Sequence, residues 1–239
     1  MKTEAFELRD IKSWGRLINR WLADLLPPGE RPEVGSEVEA KLVRKLTRRF
    51  SYLRAYHACS PKSVASYYER GLVPLDAQAV AALAKELFLS GDFPELDEAQ
   101  LNEAITRVGT ATRVGRVYFD LDEELLIEHC GHYLLYGSEY VLAIAAQLER
   151  SQKRKYRQLL KGMGKPTIFV CDVPWKLISA QTKRELVQRV TREAIDLVGR
   201  PSYRVSTQDF GFSIRKTLPP QQIVRHYHPQ NISDPYQRV

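Results

Sequence analysis

RAYHACSPKSVASYYERGLVPLD, residues 54–76, is the stretch around which we expect the fold to form. It predicts a short buried strand that ends at His57, a helix that begins near Pro61, and an exit from that helix at Gly71. His57 is the one polar residue at the end of this strand, and loops at strand ends carry functional groups on a rigid frame. The stretch alone leaves two interpretations of His57 open: a residue that faces a ligand, or a core histidine with satisfied nitrogens.

Composition and length are those of an ordinary globular protein. The chain has 239 residues, of which 44% are hydrophobic and 27% charged, which suits one domain with a sizeable core. No apolar run is long enough to span a bilayer, and the N-terminus lacks the apolar region of a signal peptide, so we expect a cytoplasmic protein. The odd number of cysteines, three, predicts reduced thiols rather than a disulfide framework.

The pattern of apolar residues predicts an α+β protein with two parts. Residues 1–50 are expected to form a helical N-terminal segment packed on the core, because apolar residues recur there at spacings of three and four. Residues 51–239 are expected to form the core domain, in which a helical insertion at about 77–108 separates two strand regions. The later predicted strands lie at about 117–119, 166–174, 210–218 and 223–227.

Two basic segments account for much of the net charge of +7. A helix predicted from Ser36 to about Leu53 carries five cations in Lys41–Arg49, and Arg150–Lys165 holds seven cations without an acid. Neutralisation of phosphates by lysine and arginine drives nucleic-acid affinity, so nucleic acid is a candidate partner through both segments. The alternative for each segment is an ordinary solvated surface.

Glu139 is a candidate catalytic carboxylate. It lies in GHYLLYGSEY, residues 131–140, among Tyr133 and Tyr136 and beside a glycine bend. A carboxylate in such a setting is a candidate general base with a perturbed pKa, and a helix cap or surface acid is the alternative.

The sequence gives weaker support for a metal site, a cysteine nucleophile or a glycine-rich phosphate-binding motif. Residues of metal-ligand type form two short clusters, which are His129, Cys130 and His132 and, separately, His226 and His228. Neither cluster fits a zinc-binding frame, so we expect no metal site. Cys59 lies two residues after His57, on the same face of a strand, but the turn at Pro61 disturbs the geometry of a nucleophile pair. The chain has no Walker or Rossmann glycine fingerprint.

The order of four motifs resembles the ADP-ribosyltransferase superfamily, in its diphtheria-toxin-like and poly(ADP-ribose)-polymerase-like branch. The motifs are a strand ending in Tyr-His before a helix and Gly-Leu-x-Pro, then Gly-x-Val-Tyr-Phe, a proline-bounded strand, and an alternating strand entering Leu-Pro-Pro-x-x-Ile. They lie at residues 56–74, 115–119, 166–174 and 210–223. The resemblance covers about residues 52–228 and implies two small antiparallel sheets that form an NAD cleft.

The resemblance implies roles for named residues. His57 matches the family histidine that hydrogen-bonds the adenosine ribose of NAD, and the backbone of Ala58 would hold the nicotinamide amide. Tyr118 matches the tyrosine that stacks on the nicotinamide ring, where a planar aromatic face suits a planar, partly cationic ring. Tyr133 and Tyr136 are further candidates for binding NAD.

The family glutamate, which supports the oxocarbenium-like centre as nicotinamide leaves, has no direct match. The corresponding region TQDFGFSIRKTLPP, residues 207–220, offers Asp209 and the amide Gln208. Glu139 and Asp209 are therefore both candidates for the catalytic carboxylate.

Two functions follow from the resemblance. The first is NAD-dependent transfer of ADP-ribose to a macromolecular acceptor, nucleic acid or protein, by an enzyme similar to bacterial toxins or defence effectors. The second is a catalytically inactive fold of the same kind that binds a nucleotide, RNA or a protein.

Overall fold

The computed structural model describes residues 4–25, 36–109, 113–199 and 210–237, which contain both strands and helices. This arrangement confirms the predicted α+β class. The strands span Ala5–Phe6 (β1), Tyr52–Cys59 (β2), Val117–Asp120 (β3), Thr167–Pro174 (β4), Gly211–Ile214 (β5) and Ile223–Tyr227 (β6). The helices span Ile11–Leu25 (α1), Ser36–Arg49 (α2), Ala65–Arg70 (α3), Ala77–Phe88 (α4), Glu98–Val108 (α5), Glu123–Glu128 (α6), His132–Tyr136 (α7), Glu139–Gln152 (α8), Arg157–Leu160 (α9) and Ala180–Gly199 (α10).

The described strands form one open sheet in the order β5-β3-β2-β4-β6, with β1 paired to β2 off this path. Neighbours along the path are antiparallel, and β1 pairs in parallel. The prediction of two small sheets is therefore wrong. The long strand β2 pairs with β4 along its whole length and also meets β3 at Tyr56 and Asp120, so one residue pair joins the two halves.

The stretch at residues 54–76 forms a strand, a helix and a glycine exit, as predicted, with two shifted boundaries. β2 continues past His57 to Cys59, because the two following residues still pair with β4. α3 begins at Ala65 rather than near Pro61. The chain between them is the loop that borders the candidate site.

The described N-terminal residues pack on one face of the sheet. Trp14 of α1 and Leu42 of α2 are buried in one cluster with Leu53 of β2, and α10 packs against both helices. α2 ends at Arg49, before the predicted end near Leu53, because Tyr52 already pairs with β1 and β4. A domain boundary at residue 50 stays a prediction.

A second core forms among the helices of the insertion and those that follow β3. α4, α5, α8 and α9 bury Phe88, Leu101, Leu148 and Tyr156 together. The carboxylates of Asp76 and Asp97 accept hydrogen bonds from the first-turn amides of α4 and α5, which fixes where these helices begin. This helical core stands beside the sheet, and the space between them contains the candidate site.

Candidate functional site

The site begins where β2 and β3 separate. The register between these strands contains one pair, Tyr56 with Asp120, and beyond it His57 Nδ1 lies 2.8 Å from the carbonyl oxygen of Tyr118. A carbonyl oxygen only accepts, so Nδ1 carries the proton and Nε2 of the neutral ring is left as an acceptor. The His57 side chain thus makes the hydrogen bond between β2 and β3 at this point, and its Nε2 is left as an acceptor.

The pKa of His57 favours this neutral form. Desolvation lowers the pKa below the ordinary value of 6.5, and the hydrogen bond to the Tyr118 carbonyl opposes the shift only in part. The ring is therefore uncharged at pH 7.

Acidification is expected to destabilise the protein through His57. Its folded pKa lies below its unfolded value, so the unfolded state binds the proton more readily. The stability conferred by the neutral ring is present above pH 6.5 and is lost as the pH falls through the folded pKa. Urea unfolding between pH 7.5 and about 5 should show a smaller loss of unfolding free energy for His57→Gln than for wild type.

His129→Gln, at an exposed position after α6, is the control and should follow wild type. Equal pH dependence of wild type and His57→Gln would contradict the assignment of a desolvated, neutral His57.

A cleft of about 630 Å³ lies between the separating strands and the helical core. Its volume falls within the range of pockets that hold small-molecule ligands and cofactors. The cleft brings together six residues that the sequence singled out, which are His57, Ala58, Tyr118, Tyr133, Tyr136 and Glu139. Residues from three separate segments of the chain therefore share one site.

Tyr118 lines the cleft because β3 alternates. Val117 and Phe119 are buried on one side of the strand, and Tyr118 between them is 45% exposed. Its carbonyl is the acceptor for His57, so the two residues are fixed relative to each other. An exposed aromatic ring in a cleft suits stacking on a planar ligand.

Glu139 is the first residue of α8 and lines the same cleft. Its carboxylate accepts hydrogen bonds from Arg113 Nη2 at 3.2 Å and from the Tyr133 hydroxyl at 3.4 Å. The side chain of Glu139 remains 43% exposed, so it is held in position without being sealed from a ligand.

Tyr136 contributes to the cleft differently from Tyr133. Its hydroxyl donates to Asp234 Oδ2 at 2.8 Å, and burial together with this bond raises the pKa of Tyr136 to about 12. The ring is buried and lines the cleft wall. Tyr136 therefore supplies apolar surface to the cleft, and its hydroxyl is held by Asp234.

Sequence reasoning missed several polar residues of the cleft, among them Arg113, Arg116 and Asp120. Arg113 holds Glu139, and Arg116 donates to Ser213 Oγ at 3.1 Å. The sequence does carry a signal, since Arg113 lies two residues before the Gly-x-Val-Tyr-Phe motif, Arg116 lies within it and Asp120 follows it. Two guanidinium groups in a cleft favour an anionic ligand.

Asp209, the second candidate carboxylate, lies outside the described residues, as does Gln208. β5 begins two residues after Asp209, at Gly211, which lines the cleft and pairs with Asp120. Asp209 therefore stays a prediction.

The structure gives little support to Cys59 as a nucleophile or to the histidine and cysteine clusters as metal ligands. Burial raises the pKa of Cys59 to about 12 despite a hydrogen bond with Tyr67, so its thiol is protonated at neutral pH and a poor nucleophile. Among the described residues, no group of three or more histidines, cysteines or carboxylates is placed to hold a metal ion. His226 and His228 hydrogen-bond through Nδ1 to the Tyr68 hydroxyl and the Pro166 carbonyl.

Many cations of the two basic segments are paired with acids. In the first segment the ion pairs are Lys41 with Glu37, Lys45 with Asp24 and Arg49 with Glu4. In the second they are Arg154 with Glu95, Arg157 with Glu149 and Lys161 with Asp234. Neither segment presents all its cations to a partner, and a role of either in binding nucleic acid stays a prediction.

Comparisons with known proteins add no relative. No protein-family model, no curated protein and no solved structure matches the chain. Across the described ranges, no helix has the length and apolar character needed to cross a membrane. The function is therefore inferred from the cleft itself.

Proposed function

We propose that the chain binds NAD in this cleft and transfers its ADP-ribose to a macromolecular acceptor. One observation carries the proposal: the 2.8 Å contact of His57 Nδ1 with the Tyr118 carbonyl joins two predicted NAD-binding residues in a cleft that also holds Glu139. These residues were predicted from separate motifs, and chance alone gives no reason for them to share one pocket.

In the proposed complex the nicotinamide ring stacks on Tyr118, and His57 Nε2 accepts a hydrogen bond from a ribose hydroxyl. Arg113 and Arg116 attract the pyrophosphate as cations of the same cleft. The NAD site would thus use one aromatic ring, one neutral imidazole and two guanidinium groups.

The reaction breaks the bond between C1′ of the ribose and the nicotinamide nitrogen, which leaves with the bonding electrons. Positive charge develops on the ribose, and the carboxylate of Glu139 stabilises that charge and bonds a ribose hydroxyl. A nucleophile of the acceptor then forms the new bond to C1′ and loses its proton.

Nicotinamide release from NAD tests the proposal. Wild-type protein, incubated with NAD labelled in the adenosine part and with cell lysate, is expected to release nicotinamide and to label macromolecules. His57→Ala should lower kcat/KM for release by about tenfold or more, because a hydrogen bond to the ligand is lost in a desolvated site. Chromatographic measurement of nicotinamide gives the rate for each variant.

Further variants control this experiment. His129→Ala alters an exposed histidine outside the cleft and should keep the wild-type rate. Tyr118→Phe keeps the stacking ring and should retain most activity, whereas Tyr118→Ala should not. If wild-type protein neither released nicotinamide nor labelled macromolecules, the proposed transferase activity would be refuted.

A second candidate function is a catalytically inactive module that binds a nucleotide in the same cleft. It is favoured by the ion pair of Glu139 with Arg113, which engages the carboxylate before any ligand arrives. NAD binding measured by calorimetry without nicotinamide release would favour this function over transfer.

A further inference from the structure

A second groove, which we call the α9 groove, lies on the helical core away from the separating strands. Its volume is about 580 Å³, and it is lined by Phe93, Lys153, Arg154, Lys155, Gln158 and Leu159. α9 is common to both cavities, because Gln158 and Leu159 line the groove while Leu160 lines the cleft. A ligand in the groove would therefore lie one short helix away from the cleft.

Two cations of the α9 groove differ from their neighbours. Arg154 is paired with Glu95 at 3.0 Å, whereas Lys153 and Lys155 are exposed and have no acidic partner among the described residues. These two lysines flank Arg154 in sequence and line one groove. The groove therefore has positive charge that no acid of the described chain neutralises.

Lys153 also has an unusual backbone. It ends α8 with φ of 57°, in the left-handed region that glycine or asparagine usually occupies at this position. A residue with a side chain carries backbone strain in this conformation. Glycine would relieve the strain but would remove the charge from the groove.

Phe93 adds an aromatic surface to the same groove. Phe93 is half-buried, and its ring centroid lies 4.1 Å from that of the buried Tyr156, so the Phe93 ring packs on the Tyr156 ring. A supported aromatic ring beside lysines without acidic partners in the described chain is the combination that proteins use for single-stranded nucleic acid, where bases stack and phosphates meet cations. In a duplex the bases are already stacked on each other, so a single aromatic side chain finds no base face.

We propose that the α9 groove binds single-stranded nucleic acid, with phosphates at Lys153 and Lys155 and a base stacked on Phe93. This site is separate from the NAD site and does not depend on the proposed transfer reaction. Binding is therefore measured without NAD, and its failure leaves the proposed function intact.

Fluorescence anisotropy with labelled dT and rU 12-mers tests the site between 50 and 200 mM salt. The double variant Lys153→Glu/Lys155→Glu is expected to bind at least about tenfold more weakly. If each lysine neutralises one phosphate, the slope of log affinity against log salt should fall by about 1.4, from 0.7 per phosphate on a single strand. Lys176→Glu/Lys216→Glu is the matched control, because it makes the same charge change at exposed lysines that lie outside both basic segments and line neither cavity.

Phe93→Leu separates stacking from charge. Leucine keeps apolar contact with Tyr156 but has no planar face, so oligonucleotide affinity should fall about fivefold or more while binding of heparin, a polyanion without bases, is unchanged. Circular dichroism of each variant verifies that it is folded.

Three results would overturn the proposal. Equal losses in the two double variants would mean that net charge alone attracts the oligonucleotide. An unchanged affinity of Phe93→Leu for both 12-mers would exclude a base stacked on Phe93. Binding of a 12-base-pair duplex as tight as that of the single strands would remove the preference on which the assignment depends.

Discussion

Glu139→Gln is expected to lower the rate of nicotinamide release by about 100- to 1000-fold, the usual loss when one preorganised electrostatic group is removed from a transition state. Glutamine has the same shape and can still accept from Arg113 and Tyr133, so the cleft should keep its form. What is lost is the negative charge opposite the developing positive ribose. NAD binding, measured by calorimetry, should change far less than kcat, because the charge develops only during bond breaking.

Glu128→Gln is the matched control for this variant. Glu128 is an exposed carboxylate at the end of α6 and does not line the cleft, so its replacement should leave the rate unchanged. Full activity of Glu139→Gln would contradict the assignment and would transfer the catalytic role to Asp209, which Asp209→Asn tests in the same series.

Gly71→Ala is expected to destabilise the fold strongly, although it adds only one methyl group. Gly71 has φ of 79° and ψ of −170°, and a Cβ on it would lie 2.0 Å from the carbonyl oxygen of Leu218. That carbonyl accepts from the Leu72 amide at 3.0 Å, and the Leu218 amide donates back to Leu72 at 2.9 Å. The added methyl therefore forces apart the bridge that ties the α3 exit to the chain before β6.

The expected cost has two parts. The backbone conformation costs about 1–3 kcal/mol for any residue with a side chain, and the steric clash adds about 1–3 kcal/mol or more. Urea unfolding of wild type and variant measures the sum.

Gly109→Ala isolates the first part. Gly109 ends α5 with φ of 67° and ψ of 172°, close to the conformation of Gly71. Apart from its chain neighbours, no heavy atom of the described residues would lie within 4 Å of a Cβ there. We expect Gly109→Ala to lower the free energy of unfolding only by the cost of the backbone conformation. Equal losses of unfolding free energy in the two variants would show that the structure relieves the clash with the Leu218 carbonyl oxygen at no energetic cost.

Local features were predictable to within a few residues. The helices α4 and α5 lie within the helical insertion predicted at about residues 77–108, and β4 lies within the strand predicted at 166–174, because the apolar pattern acts over one turn or one strand. The errors are at boundaries: β2 extends to Cys59 and α2 stops at Arg49. Both follow from pairing with β4, a partner more than 100 residues away that a local pattern does not contain.

The candidate site was predictable in its residues more than in its arrangement. His57 stood out as the polar residue at the end of a predicted strand, and Tyr118 stood out only through the resemblance of its motif to that of a known family. Nothing local indicated that the imidazole would hydrogen-bond the Tyr118 carbonyl. Arg113 was missed because a loop arginine has no periodic pattern, and only its 3.2 Å contact with Glu139 gives it a place in the site.

Local sequence preferences were enough to predict the α+β class, the strand that carries His57 and the glycine exit at Gly71. Each of these depends on neighbouring residues alone. Long-range packing was needed to join the strands into one sheet through a single pair and to bring Glu139 to the cleft. The physical reason is that strand pairing and helix packing are settled by burial across segments far apart in the chain, where many arrangements satisfy the same local pattern.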